Sequence, residues 1–234
     1  MTRFPERVRE ARLLVGVTQE QLAGSSGVPQ SLISMIERGD RSLTSETADA
    51  LITSLGLPSE FLEVAPSTIP DGAIDFRKLK TASTKDTARA KVLFKEAHRA
   101  AAQLLTSSSY PAPTLPLVQD RESPLGPERI EELALSVREH LQLDISAPVA
   151  NVTRALERRG VAVVPLVVPT SDDDVATTPG HFGASHWAGV HEPAVLTYFP
   201  SQSGDRDRFT LMHELAHVVL HTFRQHVPQD VRES

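Results

Sequence analysis

The segment His213-Glu214-Leu215-Ala216-His217 places two histidines four residues apart, with a glutamate directly after the first. Apolar residues recur around it at helical spacing, which predicts a buried helix over residues 209–221. Histidines at this spacing lie on one helix face, one turn apart. Polar groups on a buried helix need partners. The fold must therefore supply such a partner, and a metal ion held between the two imidazoles would be one.

The same residues fit metal-assisted hydrolysis. His213 and His217 would hold Zn²⁺, and Glu214 can accept a proton from a water molecule at that ion. The alternative is a chance match in an amphipathic helix that contains histidine. The apolar context favours the metal site. Burying two histidines and a glutamate costs free energy unless each has a polar or metal partner.

A catalytic zinc site needs a third protein ligand. His221 lies about 12 Å along the helix from His213, too far to share an ion, so we expect it to be structural. The chain contains no cysteine, which leaves downstream carboxylates, and Glu233 has better reach than Asp230. The predicted site therefore consists of the ligands His213, His217 and Glu233 and the catalytic base Glu214.

The composition excludes several classes of protein. A formal net charge of −6 argues against a protein that coats nucleic acid through bulk electrostatics. No apolar stretch approaches the roughly 18 residues of a membrane span, and the first residues lack the layout of a signal peptide. We therefore expect a cytoplasmic protein with no membrane partner, and the absence of cysteine excludes disulfides and thiolate metal sites.

Residues 1–64 predict a five-helix, all-α domain. Glycines end successive helices, and Thr18 with Gln21 forms a capping box at the start of the second. The second and third helices flank a turn at Gly27, which is the form of a helix-turn-helix. Such a unit binds double-stranded DNA with its second helix in the major groove.

Exposed polar residues on and beside the third helix are the predicted DNA contacts, with solvated polar residues of a small bundle as the alternative. The candidates for base edges are Gln30, Ser31 and Ser34, and those for phosphates are Gln19, Arg38 and Arg41. Residues 1–64 hold six basic and nine acidic side chains. Binding would therefore need a homodimer or help from the basic segment 77–99.

Residues 65–127 are predicted to be a linker, irregular over 65–83. A basic helix follows from about Lys85 to Leu105, and then a proline-rich stretch that is extended or mobile. The basic segment is either a solvated helix face or a DNA contact. From residue 128 to 234 the pattern is α+β, with two helices, strands at 161–168, 182–190 and 194–199, and the helix with the two histidines.

Residues 4–62 resemble the XRE (Cro/C1-type) helix-turn-helix family, through Thr18-Gln19-Glu20-Gln21-Leu22-Ala23 and Ile33-Ser34-Met35-Ile36-Glu37-Arg38-Gly39. Residues 128–234 resemble the ImmA/IrrE metallopeptidase family, through Arg206-Asp207-Arg208-Phe209-Thr210-Leu211-Met212-His213-Glu214-Leu215-Ala216-His217. The second resemblance implies a zincin-like domain and a gluzincin-like metalloendopeptidase, with zinc on the two histidines and Glu214 as base.

The resemblance also implies a biological setting. Members of that family cleave transcriptional repressors in stress responses or mobile-element switches, and a glutamate on a following helix completes their site. The corresponding Glu-Ala-Asn-like stretch is missing, and the chain ends at Val231-Arg232-Glu233-Ser234. We therefore expect a C-terminally truncated form or a cleaved product. XRE domains read two half-sites as dimers, which implies a homodimer.

These observations predict a transcriptional regulator with a peptidase domain that cleaves a repressor, another regulatory protein or the chain itself. One alternative is a non-proteolytic transcription factor whose peptidase-like domain senses a ligand or a metal. Another is a domain that only assembles dimers, which would bind no metal.

Overall fold

The computed structural model of the chain describes residues 2–74, 76–78, 83–118, 125–167, 181–189 and 192–222. It divides into two compact units. The first unit comprises residues 1–70 and 82–95, and the second comprises residues 71–81 and 96–234. Within the described part of the chain, no helix is both long and apolar enough to span a membrane.

The first unit is all-α, as predicted. Its helices are α1 (Glu6–Val15), α2 (Gln19–Ser26), α3 (Gln30–Glu37), α4 (Ser45–Leu55), a 3-10 turn (Ser59–Leu62) and the first half of α5 (Thr84–Ser107). The predicted capping box is present, since Thr18 and Gln21 exchange both side-chain bonds at the start of α2. Gly27 ends α2 with a φ of 72°, which favours glycine.

The core of the first unit comes from apolar residues at helical spacing. Leu22, Ile33 and Leu51, from α2, α3 and α4, are each at most 1 % exposed and belong to one cluster. Burying such side chains contributes about 1.5–3 kcal/mol each. The two helices of the helix-turn-helix are therefore held by a shared core.

The second unit combines helices with one small sheet, in agreement with the predicted α+β class. Its elements are β1 (Phe76–Lys78), the second half of α5, α6 (Pro127–His140), α7 (Val152–Glu157), β2 (Val161–Pro165), β3 (His181–His186), β4 (Ala194–Tyr198) and α8 (Gly204–His221). The strand order is β1-β3-β4-β2. The pair β2 and β4 is parallel, whereas β3 is antiparallel to both β1 and β4.

Helix α8 packs on β3 and β4. The apolar residues of α8 in the main core of the unit are Leu211, Leu215, Val218 and Val219. They share this core with Val161 of β2 and Leu196 of β4. The predicted buried helix is therefore present, and it begins five residues earlier than the sequence pattern indicated.

Strand β1 was not predicted, because the sequence pattern indicated only an irregular connector over 65–83. It is three residues long and pairs with β3 at the edge of the sheet, with Phe76 opposite Ala184. A strand this short carries no alternating pattern, and its pairing depends on a partner about a hundred residues away.

Residues 109–118 of the proline-rich stretch form neither helix nor strand. Backbone amides of Thr114 and Val118 donate to the carbonyls of Arg159 and Val219 at 3.1 Å each. The hydroxyl of Tyr110 donates to the carbonyl of Val161 at 3.1 Å. Residues 110–118 therefore form part of the second unit.

Gly160 follows α7 with a φ of 78°, and a Cβ there would lie 2.5 Å from the carbonyl oxygens of Pro111 and Ala112. We expect Gly160→Ala to lower the free energy of unfolding by roughly 2–4 kcal/mol, because backbone strain and steric overlap add. Urea unfolding followed by fluorescence of Trp187, the only tryptophan, measures this.

Gly27→Ala is the control for Gly160→Ala. Gly27 has a similar φ of 72° but no atom within 4 Å of an added Cβ, so it tests strain alone. We expect it to cost about 1 kcal/mol, measured by helical circular dichroism. If both variants lost the same free energy of unfolding, the contact of Gly160 with the 110–118 segment would contribute nothing to stability.

Candidate functional site

Helix α8 brings His213 and His217 together. Their Nε2 atoms lie 3.0 Å apart, and their ring centroids lie 4.6 Å apart. Both side chains are partly exposed, whereas the residues on the other face of α8 are buried. The two nitrogens therefore point to the same place at the edge of the core.

Glu214 lies on the buried side of α8 and is 2 % exposed. The hydroxyl of Ser185, on β3, donates to its Oε2 at 3.0 Å. A carboxylate removed from water needs such a donor, because the charged form is costly in a low dielectric. Ser185 therefore fixes one oxygen of the carboxylate beside the histidine pair.

Gly183, two residues before Ser185 on β3, allows α8 to approach the sheet. A Cβ at this position would lie 2.7 Å from Cγ2 of Thr210 and 3.0 Å from Cγ of Glu214. Real side chains do not tolerate such distances, so the helix and the strand need glycine here. The glycine and the serine together set the position of the Glu214 side chain.

The histidine pair fits two ligands of a zinc ion. Two Zn–N bonds of about 2.05 Å at a tetrahedral angle would separate the nitrogens by about 3.3 Å, a few tenths of an ångström more than in this structure. Among the described residues, however, no group of three or more histidine or acidic side chains is placed to hold a metal.

The predicted third ligand, Glu233, lies outside the described residues. His221 lies next along α8, with its ring centroid 5.6 Å from that of His217. The described part of the chain therefore brings together two imidazole nitrogens and places a carboxylate beside them.

In the first unit, a hydrogen-bonded network joins the predicted DNA-contacting residues Gln19 and Gln30. Arg12 donates from Nε and Nη2 to both oxygens of Glu37, at 2.6 and 2.7 Å. Gln19 donates to Glu37 at 2.8 Å, and Gln30 donates to Gln19 at 2.8 Å. Because the Arg12–Glu37 pair is nearly buried, this network holds the first residues of α2 and α3 in a fixed relation.

The other predicted DNA contacts lie on α3 or directly after it. Ser31 is exposed on the first turn of α3, and Ser34 accepts a hydrogen bond from Arg38. Arg38 also pairs with Asp40 at 2.8 Å, and both side chains are more than half exposed. Arg41 is exposed. The structure thus places all six candidates in the helix-turn-helix region.

Sequence reasoning missed Ser185, Gly183 and the Arg12–Glu37 pair. The glycine within a predicted strand was an available signal, since glycine there marks a close approach of another element. The two polar contacts join residues 29 and 25 positions apart, so no local pattern reveals them.

A second pair of histidines lies on the other face of the sheet. His186 follows Ser185 on β3 and therefore points away from α8. Its ring centroid lies 5.6 Å from that of His98 on α5. His98 is 8 % exposed, and its Nε2 has no hydrogen-bond partner within the described residues. Burial, together with His186 and Arg99, lowers the pKa of His98 to about 4.

Comparisons with known families match both ends of the chain. Residues 8–62 match the helix-turn-helix family model. Residues 156–233 match the model of a peptidase family described as the IrrE N-terminal-like domain. Searches of curated proteins and of solved structures found no match. The two family matches confirm the resemblances that the sequence motifs indicated.

The His98 pKa predicts a loss of stability in acid. The folded chain keeps His98 neutral down to about pH 4, whereas the unfolded chain binds a proton below about pH 6.5. Stability is therefore complete above pH 6.5 and falls as the pH drops, by about 2 kcal/mol at pH 4.5. The neighbouring His186 also has a lowered pKa, because burial outweighs the opposing effect of Glu192.

Urea unfolding of the wild type and of His98→Phe, above pH 6.5 and at pH 4.5, measures this loss of stability. Trp187 fluorescence follows the unfolding. The substitution keeps a ring against His186 and removes the titrating group. We expect it to reduce the pH dependence by about the same 2 kcal/mol. An unchanged pH dependence would exclude His98 as its source.

Proposed function

Taking the chain as a fusion of an XRE-type helix-turn-helix domain with an IrrE-like peptidase domain, we propose that it is a DNA-binding transcriptional regulator and a zinc-dependent endopeptidase. Its substrate is a repressor or another regulatory protein, with the chain itself as one possibility. The observation that carries this proposal is the 3.0 Å approach of the His213 and His217 Nε2 atoms beside the buried carboxylate of Glu214.

His213 and His217 would hold the zinc through Nε2, and Glu233 is the third ligand that we propose from the sequence. When bound, zinc supplies Lewis acidity, which polarises a peptide carbonyl and makes water a stronger acid. Two neutral imidazoles and one carboxylate form a common ligand set for catalytic zinc. The partly exposed histidine rings leave the open side of the site accessible to a peptide.

Glu214 would act as the general base. Its carboxylate accepts a proton from the attacking water and delivers it to the nitrogen of the leaving amine. Ser185 holds Oε2 by its hydroxyl, so the proton is taken up on a carboxylate of fixed orientation. Because the group is 2 % exposed, little bulk water competes for this exchange.

In the first unit, α3 would enter the major groove of an operator, with Gln30, Ser31 and Ser34 at base edges. Gln19, Arg38 and Arg41 would contact phosphates. The network from Arg12 to Gln30 orients the two glutamine amides before DNA binds, which reduces the entropy lost on binding. We propose a homodimer that reads two half-sites.

The combination of an operator-binding unit with a peptidase suits a regulatory switch. Binding near a promoter directs the chain to a set of genes, and cleavage of a repressor changes their expression irreversibly. We propose that this switch belongs to a stress response or to a mobile element.

Glu214→Gln tests the peptidase directly. We expect the variant to reduce cleavage of a co-expressed repressor from a neighbouring gene by at least 100-fold, because an amide cannot accept the proton. The amide is nearly isosteric with the carboxylate and can still accept the hydrogen bond of Ser185. Immunoblotting of the repressor, with expression of its target genes, provides the measurement.

Ser185→Ala is the matched variant on β3. It leaves the base in place and removes only its orienting bond, so we expect a smaller loss, about 10-fold. Full cleavage and regulation in Glu214→Gln would refute the peptidase proposal and favour a transcription factor without proteolysis. Melting temperatures of both variants show whether the fold is retained.

A further inference from the structure

Helix α5 begins within the first unit. Residues 82–95 belong to the same compact unit as α1 to α4. Arg89 joins the helix to this unit, because its Nε donates to the carbonyl of Leu14 at 2.8 Å. Its guanidinium also lies against Gly16, 3.4 Å from where a Cβ would be. The start of α5 is therefore fixed beside the turn between α1 and α2.

Lys85, one turn before Arg89, lies beside the predicted DNA-contacting residues. A groove of about 420 Å³ is lined by Lys85 together with Gln19 and Gln30. Thr18 and Glu20, at the start of α2, line the same groove. The lysine is exposed, and within the described residues it makes no ion pair, with Glu20 or with any other carboxylate. Its ammonium group is thus available beside Gln19 and Gln30.

Lys85 does not stabilise α5 from its position in the first turn. A cation in the first turn opposes the helix dipole and therefore destabilises the helix slightly. The first turn of α5 is capped instead by Ser83, whose Oγ accepts a hydrogen bond from the backbone N–H of Asp86 at 3.0 Å. Stabilisation of α5 therefore gives no reason for a lysine at this position.

Charge supports a role in binding an anion. Residues 1–70 hold six basic and nine acidic side chains. Residues 82–95 add four basic side chains and one acidic, so the unit as a whole reaches ten of each. Since DNA affinity depends on basic groups near phosphates, α5 supplies the positive charge that the helix-turn-helix lacks.

We propose that Lys85 contacts a DNA phosphate next to the one reached by Gln19, so that the start of α5 extends the DNA-binding surface. This inference rests on the proposed DNA binding by α2 and α3. The contact is to the backbone and carries no base information, so it raises affinity equally for all sequences.

The test measures the salt dependence of DNA binding. Fluorescence anisotropy with a random-sequence duplex of about 25 base pairs, between about 50 and 200 mM salt, needs no knowledge of the operator. We expect Lys85→Gln to reduce the slope of log K against log salt by about 0.9, and affinity about 5–10-fold near 0.1 M salt. A second, unrelated duplex should show the same factor. Lys85→Arg should retain wild-type binding.

Lys95→Gln on the same helix is the charge-matched control. It lies about 15 Å along α5 from Lys85, beyond the Debye length of about 10 Å at 0.1 M salt. We expect it to leave the slope unchanged, and circular dichroism confirms the fold of each variant.

The outcomes separate this inference from the proposed function. Wild-type binding with an unchanged slope in Lys85→Gln would overturn the Lys85 contact alone. An equal effect of both substitutions would also overturn it, because only net charge would then matter. A wild-type chain that binds no duplex would overturn both DNA binding and the contact.

Discussion

The second unit depends on the close approach of α8 to β3 at Gly183. Because no side chain fits between the strand and the helix, Glu214 lies directly over the sheet, within reach of the Ser185 hydroxyl. The apolar side chains of α8 hold that approach from the same face. The histidines project from the partly exposed side of the same helix. One packing constraint thus determines where Glu214 and the two histidines lie.

The first unit uses a buried ion pair for a similar purpose. Replacing such pairs by apolar residues is often neutral for stability, so their value lies in orientation more than in free energy. Glu37 accepts from Arg12 of α1 and from Gln19 of α2, while it belongs to α3. Three helices are therefore tied at one carboxylate, and Gln30 is positioned through Gln19. In each unit, a nearly buried glutamate fixes the positions of neighbouring polar side chains.

Local sequence signals predicted most of the fold. Glycines with positive φ, the capping box at Thr18 and the apolar spacing of α4 and α8 act within a few residues, so they can be read directly. Strand β1 could not be predicted from local sequence, because its three residues form a strand only by pairing with β3. The bond from Ser185 to Glu214 likewise arises from tertiary packing. The histidine spacing predicted the meeting of His213 and His217, whereas Glu233 lies outside the described residues.

The central claim is that His213 and His217 bind one zinc ion, and the zinc content of the purified chain measures it most directly. Mass spectrometry should find about one zinc per chain in the wild type. It should find little in His213→Ala or His217→Ala, and wild-type content in His221→Ala, the control on the next turn of α8. Equal zinc in all four proteins, or none in the wild type after zinc supplementation, would contradict the account.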